Sequence, residues 1–389
     1  MDRHADVRTI AHRDAWVEVD LDAVVANAHA LAEWAGGASR IAPVVKANAY
    51  GHGAVPVSRA LAAAGFAPLC VATIDEGLSL RGAGIGGDVI VLYGPPLRAL
   101  RDAADAQLDV TLGDGASVGW VAQLPASERR ALRLQLKIDT GMTRQGIRPE
   151  ELDTLRRSLA TLAGSVRGVW THLADGADVR ATTTQLARFD EVVALLRGLG
   201  IEAPRHVAGS AAVLAGVGRQ YEFARPGLAV YGAVPAEFTE HLGAAPIALR
   251  PAMSVRARPS RLVEVPAGTA VGYSGAFTTE RPSRLATLPL GYADGLRRSL
   301  GDGRGQVLVG AMRARIVGRI SMDSCVVDVS DVEAAGRDSV FTLLGHDGPE
   351  AITLEEMSRW AGTIPHEMAV GFAARLPYVY RPPGPSGGD

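Results

Sequence analysis

Lys46 closes an apolar run, Ile41-Ala42-Pro43-Val44-Val45-Lys46, and a glycine-bracketed turn follows it, Ala47-Asn48-Ala49-Tyr50-Gly51-His52-Gly53. A lysine at the end of a buried strand is costly unless it is paired or its pKa is lowered. A neutral lysine amine is the group that forms a Schiff base with an aldehyde. A lysine whose head reaches solvent is the plainer alternative, and this segment alone leaves both open. Other segments also place polar residues just after an apolar run. They are Lys137-Ile138-Asp139-Thr140-Gly141-Met142-Thr143-Arg144, Thr171-His172-Leu173-Ala174-Asp175 and His206-Val207-Ala208-Gly209-Ser210. Further along come Ala224-Arg225-Pro226-Gly227-Leu228-Ala229-Val230-Tyr231 and Gly291-Tyr292-Ala293-Asp294-Gly295, with Arg319-Ile320-Ser321-Met322-Asp323 downstream. A hydroxyl and backbone amides beside glycine, as around Ser210 and Gly227, suit a phosphate dianion. Ser210 reads equally well as a helix N-cap, and the two roles are compatible. Alone, Arg225 reads as a surface or ion-pair residue and His172 as a polar loop residue.

The elements that would position these residues alternate. Trp16–Asp20 reads as a strand and Leu21–Ala35 as a helix, with Asp20 and Asp22 as caps. Strands follow at Ile41–Lys46, Leu69–Ala72, Val89–Tyr93, Val110–Leu112, Leu132–Ile138, Val166–Thr171, Arg205–Ala208 and Ala229–Tyr231. Helical spacing falls at Val55–Ala64, Ile74–Gly82, Leu186–Leu199 and Ser210–Ala215. Roughly eight βα units fit an α/β fold, a (β/α)₈ barrel over residues 15–245, with a doubly wound open sheet as the competing form. Either fold collects its site where the polar residues lie, just after the strands. After about Pro246 the texture changes to short valine-rich runs between Gly and Pro turns, with one helix at Leu354–Trp360. That pattern predicts an all-β domain over residues 246–381. Residues 1–14 and 382–389 read as flexible tails.

Bulk properties narrow the class. A chain of 389 residues suffices for two domains and a large core. A net charge of −2, with no basic run, gives no electrostatic case for nucleic acid or a membrane surface. Cys70 and Cys325 each lie in an apolar run and read as buried thiols, not as a disulfide framework or a zinc site; no metal is expected. The N-terminal stretch has no apolar signal core, and no apolar run reaches the ~18 residues of a membrane span. A cytoplasmic enzyme is the expectation.

From about Trp16 to Arg381, in order, these motifs resemble the alanine racemase family, the fold-type III pyridoxal phosphate enzymes with a barrel and a β domain. The resemblance implies an isomerase that interconverts L- and D-alanine, with pyridoxal 5′-phosphate held by Lys46. It implies a homodimer with active sites shared between subunits, supplying D-alanine for the cell wall or a specialised pathway. Tyr50, Ser210, Gly227, Leu228 and Tyr231 match the phosphate-binding positions. Arg225 matches an arginine facing the pyridine nitrogen, where many pyridoxal enzymes place a carboxylate. An arginine there only donates, so the ring stays unprotonated and fewer protons are misplaced. Lys46 and Tyr292 match bases on opposite faces of the substrate Cα, Tyr292 arriving from the other subunit, and His172 matches the histidine bonded to that tyrosine. Arg144 matches an arginine near the ring oxygen and substrate carboxylate. Lys137 matches a lysine that is carbamylated in some members and orients that arginine. Met322 and Asp323 match a pair whose amides meet the substrate carboxylate, and Tyr273 and Arg319 match residues lining the passage into the site.

The sequence departs from the family pattern at four positions. Gly209 replaces the usual asparagine before the serine, Ser321 replaces a cysteine, and Ala374 and His366 stand where tyrosines are common. Gly209 and Ala374 remove bulk, which motivates a sister reading as a racemase of serine or another small amino acid. A catalytically silent pyridoxal phosphate carrier is a rival from another class, but such single-barrel proteins lack a β domain with a tyrosine. A fold-type III decarboxylase is opposed by Arg225 and Tyr292.

Overall fold

The computed structural model describes residues 12–372 and 375–382. The chain forms two compact units: Val25–Val230 with Val234–Leu249, and the residues up to Val24 with Tyr231–Ala233 and Arg250 onward. The expected tails fall largely, and Ala374 wholly, outside the described residues.

In the first unit six parallel strands run in sequence order: Leu69–Val71, Val89–Val91, Asp109–Leu112, Arg133–Lys137, Val166–Trp170 and Arg205–His206. They are short and mostly buried, and Leu69–Val71 and Val89–Val91 accordingly read as continuous apolar runs. Two extended segments complete the ring. Pro43 accepts from the Cys70 amide at 2.9 Å, and Ala42 donates to Ala224 at 2.7 Å. His206 bridges to Phe223, and Ile41 to Ala224. Eight staves thus close into a (β/α)₈ barrel. Three of the helices between staves begin on side-chain caps, Thr73 for Ile74–Gly82, Asp114 for Gly115–Gln123 and Asp178 for Val179–Gly198.

Two expectations need correction. Ala229–Tyr231 is no strand; Leu228–Tyr231 forms a single helical turn, and the eighth stave is the preceding stretch around Phe223 and Ala224. Its apolar run has the composition of a strand, but Pro226-Gly227 breaks the extended chain just before it. The strand Ala15–Asp20 lies outside the barrel, in the second unit. It pairs antiparallel with Met253–Ala257 on one side and parallel with Tyr378–Arg381 on the other. Burial of Ala15 through Val19 requires neighbours on both edges, and both come from the far end of the chain.

The second unit is built on a ten-stranded sheet among the described residues. Its order is Tyr378–Arg381, Ala15–Asp20, Met253–Ala257, Phe341–Asp347, Gln306–Val309, Met312–Val317, Cys325–Asp328, Ser283–Leu288 and Arg261–Val265, with Glu350–Ile352 branching from Phe341–Asp347. The valine-rich stretch 254–265, expected as one run, is two strands, and Glu350–Ile352 and Tyr378–Arg381 were not among the expected runs. Helix Leu354–Ala361 is capped by Thr353, and a further helix, Pro365–Gly371, had no clear signal in the sequence.

Candidate active site

Lys46 stands where the first stave ends, and the next four residues, Ala47 to Tyr50, all have φ between 51° and 54°. They form one left-handed turn, a conformation that costs L-residues roughly 1–2 kcal/mol each. Glu76 holds it. One carboxylate oxygen accepts from the Ala47 amide at 2.7 Å and the other from the Ala72 amide at 2.6 Å. Asn48 Oδ1 accepts from the Ala54 amide at 2.8 Å and ties the far side. The turn sets the Lys46 amine 5.9 Å from the Tyr50 ring centre. Burial, then the nearby charges of Arg144 and Arg225, lower the Lys46 pKa, while Glu76 raises it.

Arg225 is 4% exposed, and both of its terminal nitrogens are engaged. It donates to Thr171 O and His206 O, each at 2.8 Å, and to His206 Nδ1 at 2.6 Å. It also reaches His172 Nδ1 at 3.4 Å and lies 4.5 Å over the Trp170 ring. Burial pulls its pKa down to about 10, so it remains a cation near neutrality. His172 is held well below the ordinary histidine value, by burial first and then by Arg225, Arg144, Lys137 and Lys46. It is therefore neutral. With Nδ1 facing a donor, its proton belongs on Nε2.

Arg144 follows a loop organised by Asp139, whose Oδ1 accepts from the amides of Gly141, Met142 and Thr143, each at 3.0 Å. Lys137 is buried 4.6 Å from the Trp170 ring centre, and its amine donates to Gln145 Oε1 at 3.3 Å. Burial and the charges of Arg144 and Arg225 lower its pKa to about 8.

A cluster of donors lies beside these cations. Ser210 Oγ accepts from the amides of Gly227 at 2.9 Å and Ala229 at 3.2 Å. Tyr50 packs its hydroxyl against Gly227 so closely that a Cβ there would fall 2.2 Å from it. Burial raises the Tyr50 pKa, keeping the phenol a donor. Two hydroxyls and the amides of a tight turn, set apart from an amine of lowered pKa, suit pyridoxal phosphate: phosphate at one end, aldehyde at the other. Tyr231 is buried and belongs to the second unit, where its carbonyl accepts from the Ala252 amide at 3.1 Å.

The second unit assembles the remaining residues. Tyr292 opens a one-turn loop whose backbone is tied to the segment bearing Met322: Tyr292 N donates to Ser321 O at 3.1 Å and Ala293 N to Met322 O at 3.0 Å. A Cβ on Gly291 would fall 2.3 Å from Ser321 O, so only glycine lets the loops touch. Beneath them Asp294 is buried in a two-bond pair with Arg13, each bond 2.6 Å. Arg375 joins Asp294 to Asp323. Tyr292 is 43% exposed, Met322 52% and Tyr273 66%. Arg319 reaches Ser274 beside Tyr273 at 3.3 Å.

Of the residues singled out in the sequence, Lys46, Tyr50, Lys137, Arg144, His172, Ser210, Arg225, Gly227 and Leu228 lie in one unit, and Tyr231, Tyr273, Tyr292, Met322 and Asp323 in the other. Sequence reasoning missed Glu76, whose cap of the Thr73 helix had a local signal but whose bond to the Ala47 amide had none, and Trp170, which looked like any core aromatic.

Barrel, lysine, phosphate donors and buried arginine define a pyridoxal phosphate enzyme. The family models agree: one described as the alanine racemase N-terminal domain matches residues 19–235, and one described as the C-terminal domain matches residues 252–380. The alanine racemase of Carboxydothermus hydrogenoformans is 37% identical over 95% of this chain and all of its own length. A crystal structure of the Bacillus anthracis alanine racemase with bound L-Ala-P superposes with a TM-score of 0.87 at 32% identity, covering 96% of this chain and 97% of that one. The Bartonella henselae alanine racemase, solved with covalently bound pyridoxal phosphate, gives 0.84 at 30% identity, covering 95% and 99%. The chain belongs to the alanine racemase family and is an isomerase dependent on pyridoxal phosphate.

Proposed function

We propose that the chain racemises alanine by two bases on opposite faces of Cα, Lys46 from one subunit and Tyr292 from a second copy. The observation that carries this reading is the Lys46 amine at the end of the first stave, half-buried and lowered in pKa by burial and by the charges of Arg144 and Arg225. Lys46 would hold the cofactor aldehyde, with Tyr50, Ser210, Gly227, Leu228 and Tyr231 at its phosphate. When bound, pyridoxal phosphate supplies the electron sink that makes the Cα proton acidic. The chain's own groups do the rest. The Lys46 amine accepts or returns the proton on one face, and the Tyr292 phenol does so on the other. Neutral His172 offers Nε2–H to the Tyr292 oxygen and stabilises it when deprotonated. Arg225, locked by carbonyls on either side, donates toward the pyridine nitrogen without giving up its proton. Arg144 and the amides of Met322 and Asp323 orient the substrate carboxylate, while Tyr273 and Arg319 line the approach.

Lys137 takes part as a carbamate. Its lowered pKa leaves more of the amine free to add CO₂, and the product replaces a cation with an anion facing Arg144. The buried thiols Cys70 and Cys325 suit a reducing cytoplasm, and no described helix is long and apolar enough to cross a membrane. The serine reading is not favoured, since the relatives are alanine racemases. Gly209 nonetheless leaves room beside His172, where a Cβ would make only a 3.4 Å contact.

The decisive test is α-hydrogen exchange in D₂O with each alanine enantiomer, followed by NMR and circular dichroism. Equal inversion from both sides, lost in Lys46→Ala, supports the reading. Exchange without inversion would remove Tyr292 from it. In Tyr292→Phe, exchange should survive for one enantiomer only.

A further inference from the structure

Arg225 is the last link of a polar chain that runs through the barrel interior. Its NH1 donates to His206 Nδ1 at 2.6 Å, and His206 Nε2 meets Gln135 Oε1 at 3.1 Å. Gln135 Nε2 donates to Asp109 Oδ2 at 2.9 Å, and Asp109 Oδ1 accepts from Arg133, which also pairs with Asp88 at 2.6 Å. Asp109, Gln135, His206 and Arg225 are all buried. The chain crosses four staves, and a barrel of ordinary apolar layers would need none of it.

Each link has only one possible polarity. An ionised Asp109 only accepts, so the Gln135 amide nitrogen must face it. The Gln135 oxygen then faces His206, which must carry its proton on Nε2. A neutral His206 so protonated has its lone pair on Nδ1, and that lone pair faces Arg225. The ring cannot tilt away, because it is stacked between Phe223 at 4.3 Å and Trp170 at 5.8 Å. The space for Gln135 is also specific: a Cβ at Gly168 would fall 2.0 Å from Gln135 Oε1. Burial and Arg225 hold His206 well below the ordinary histidine pKa, in keeping with a neutral ring.

We infer that Asp109 and Gln135 are positioning residues: they fix His206 as its Nε2–H tautomer and thereby aim Arg225 as a donor. Their effect on catalysis rests on the proposed role of Arg225, but the tautomer does not. Gly168 is part of the device, because any side chain there evicts the glutamine that transmits the polarity.

The test is ¹⁵N NMR of protein labelled at histidine ring nitrogens, recorded with and without pyridoxal phosphate, with His206 assigned by its loss in His206→Gln. The expected wild-type result is a protonated Nε2 and an unprotonated Nδ1, unchanged from about pH 6 to about pH 8.5. Asp109→Asn lets the amide face either way, and Gly168→Ala displaces Gln135 without removing a polar group. Both should show an Nδ1–H population. Both should lower kcat roughly tenfold to a hundredfold, with a smaller change in KM for alanine. A wild-type Nδ1–H or doubly protonated His206 overturns the inference whether or not the enzyme racemises alanine. So does a tautomer that stays fixed in both variants. If Asp109→Asn fails to fold, the wild-type and Gly168→Ala spectra still decide.

Discussion

At the scale of single residues, the site works by making ordinary groups available at neutral pH. Lys137 shows the cost. Its pKa falls to about 8 in the folded state against an ordinary 10.5, so the folded chain binds fewer protons than the unfolded one between those values. Stability should therefore rise with pH across that window, and the full penalty of a buried cation should be felt below about pH 8. In CO₂-free buffer, urea unfolding at stepped pH should show that rise in the wild type and a smaller one in Lys137→Met, where Lys46 still contributes to it. With ¹³C-bicarbonate, a carbamate carbon signal absent from Lys137→Met would establish the modification, and no signal in the wild type would exclude it. Gly227 gives a second prediction. Gly227→Ala pushes a methyl into the Tyr50 hydroxyl, and cofactor titration should read a loss of about tenfold or more in affinity for pyridoxal phosphate, since a phosphate donor is displaced. Lys46 alone offered a chemical reading from its own segment, whereas Arg225 read as a surface residue and His172 as a loop residue until the order of motifs along the chain gave the family resemblance. Glu76 and Gln135 were not legible, because their meaning lies in which backbone amide or imidazole they meet across the barrel.

At the scale of elements, the left-handed turn after Lys46 is the main expense. Ala47→Gly removes one strained residue and should raise stability by up to about 1 kcal/mol, read by thermal unfolding. The looser turn should capture pyridoxal phosphate more slowly. Glu76→Gln keeps an oxygen for one amide and removes the charge that raises the Lys46 pKa. Cofactor capture should then reach its plateau at lower pH than in the wild type, and an unshifted profile would refute Glu76 as a charge partner. Most strands were legible from composition, but helices such as Leu100–Asp105, Gly115–Gln123 and Leu152–Leu162 were not. A turn after Lys46 was legible but its handedness was not: Ala47-Asn48-Ala49-Tyr50 holds no glycine, and the conformation is held by Glu76 from outside and by Asn48 within. The segment Ala229–Tyr231 misled for the opposite reason, being apolar enough for a strand but coming just after a proline-glycine break.

At the scale of the whole molecule, the shared-site proposal has a direct consequence for mixtures. Lys46→Ala and Tyr292→Phe are each expected to be inactive as racemases. If each site draws on two chains, co-refolding equal amounts should restore about a quarter of wild-type activity, because half the dimers are mixed and one site in each is intact. No recovery, with mixed dimers demonstrated by native mass spectrometry, would place both residues in one chain. The division into barrel and strand-rich unit was legible from the change in texture near Pro246. The ownership of Ala15–Asp20 was not, since a buried strand carries no label for its sheet. That strand has a consequence in time. It leaves the ribosome before either of its neighbours, Met253–Ala257 and Tyr378–Arg381, which come some 240 and 360 residues later. At about 5–20 residues per second it waits roughly ten seconds to a minute with both edges bare. A chain broken off anywhere before Tyr378 keeps one of those edges open, so incomplete copies advertise themselves to the machinery that clears unfinished proteins.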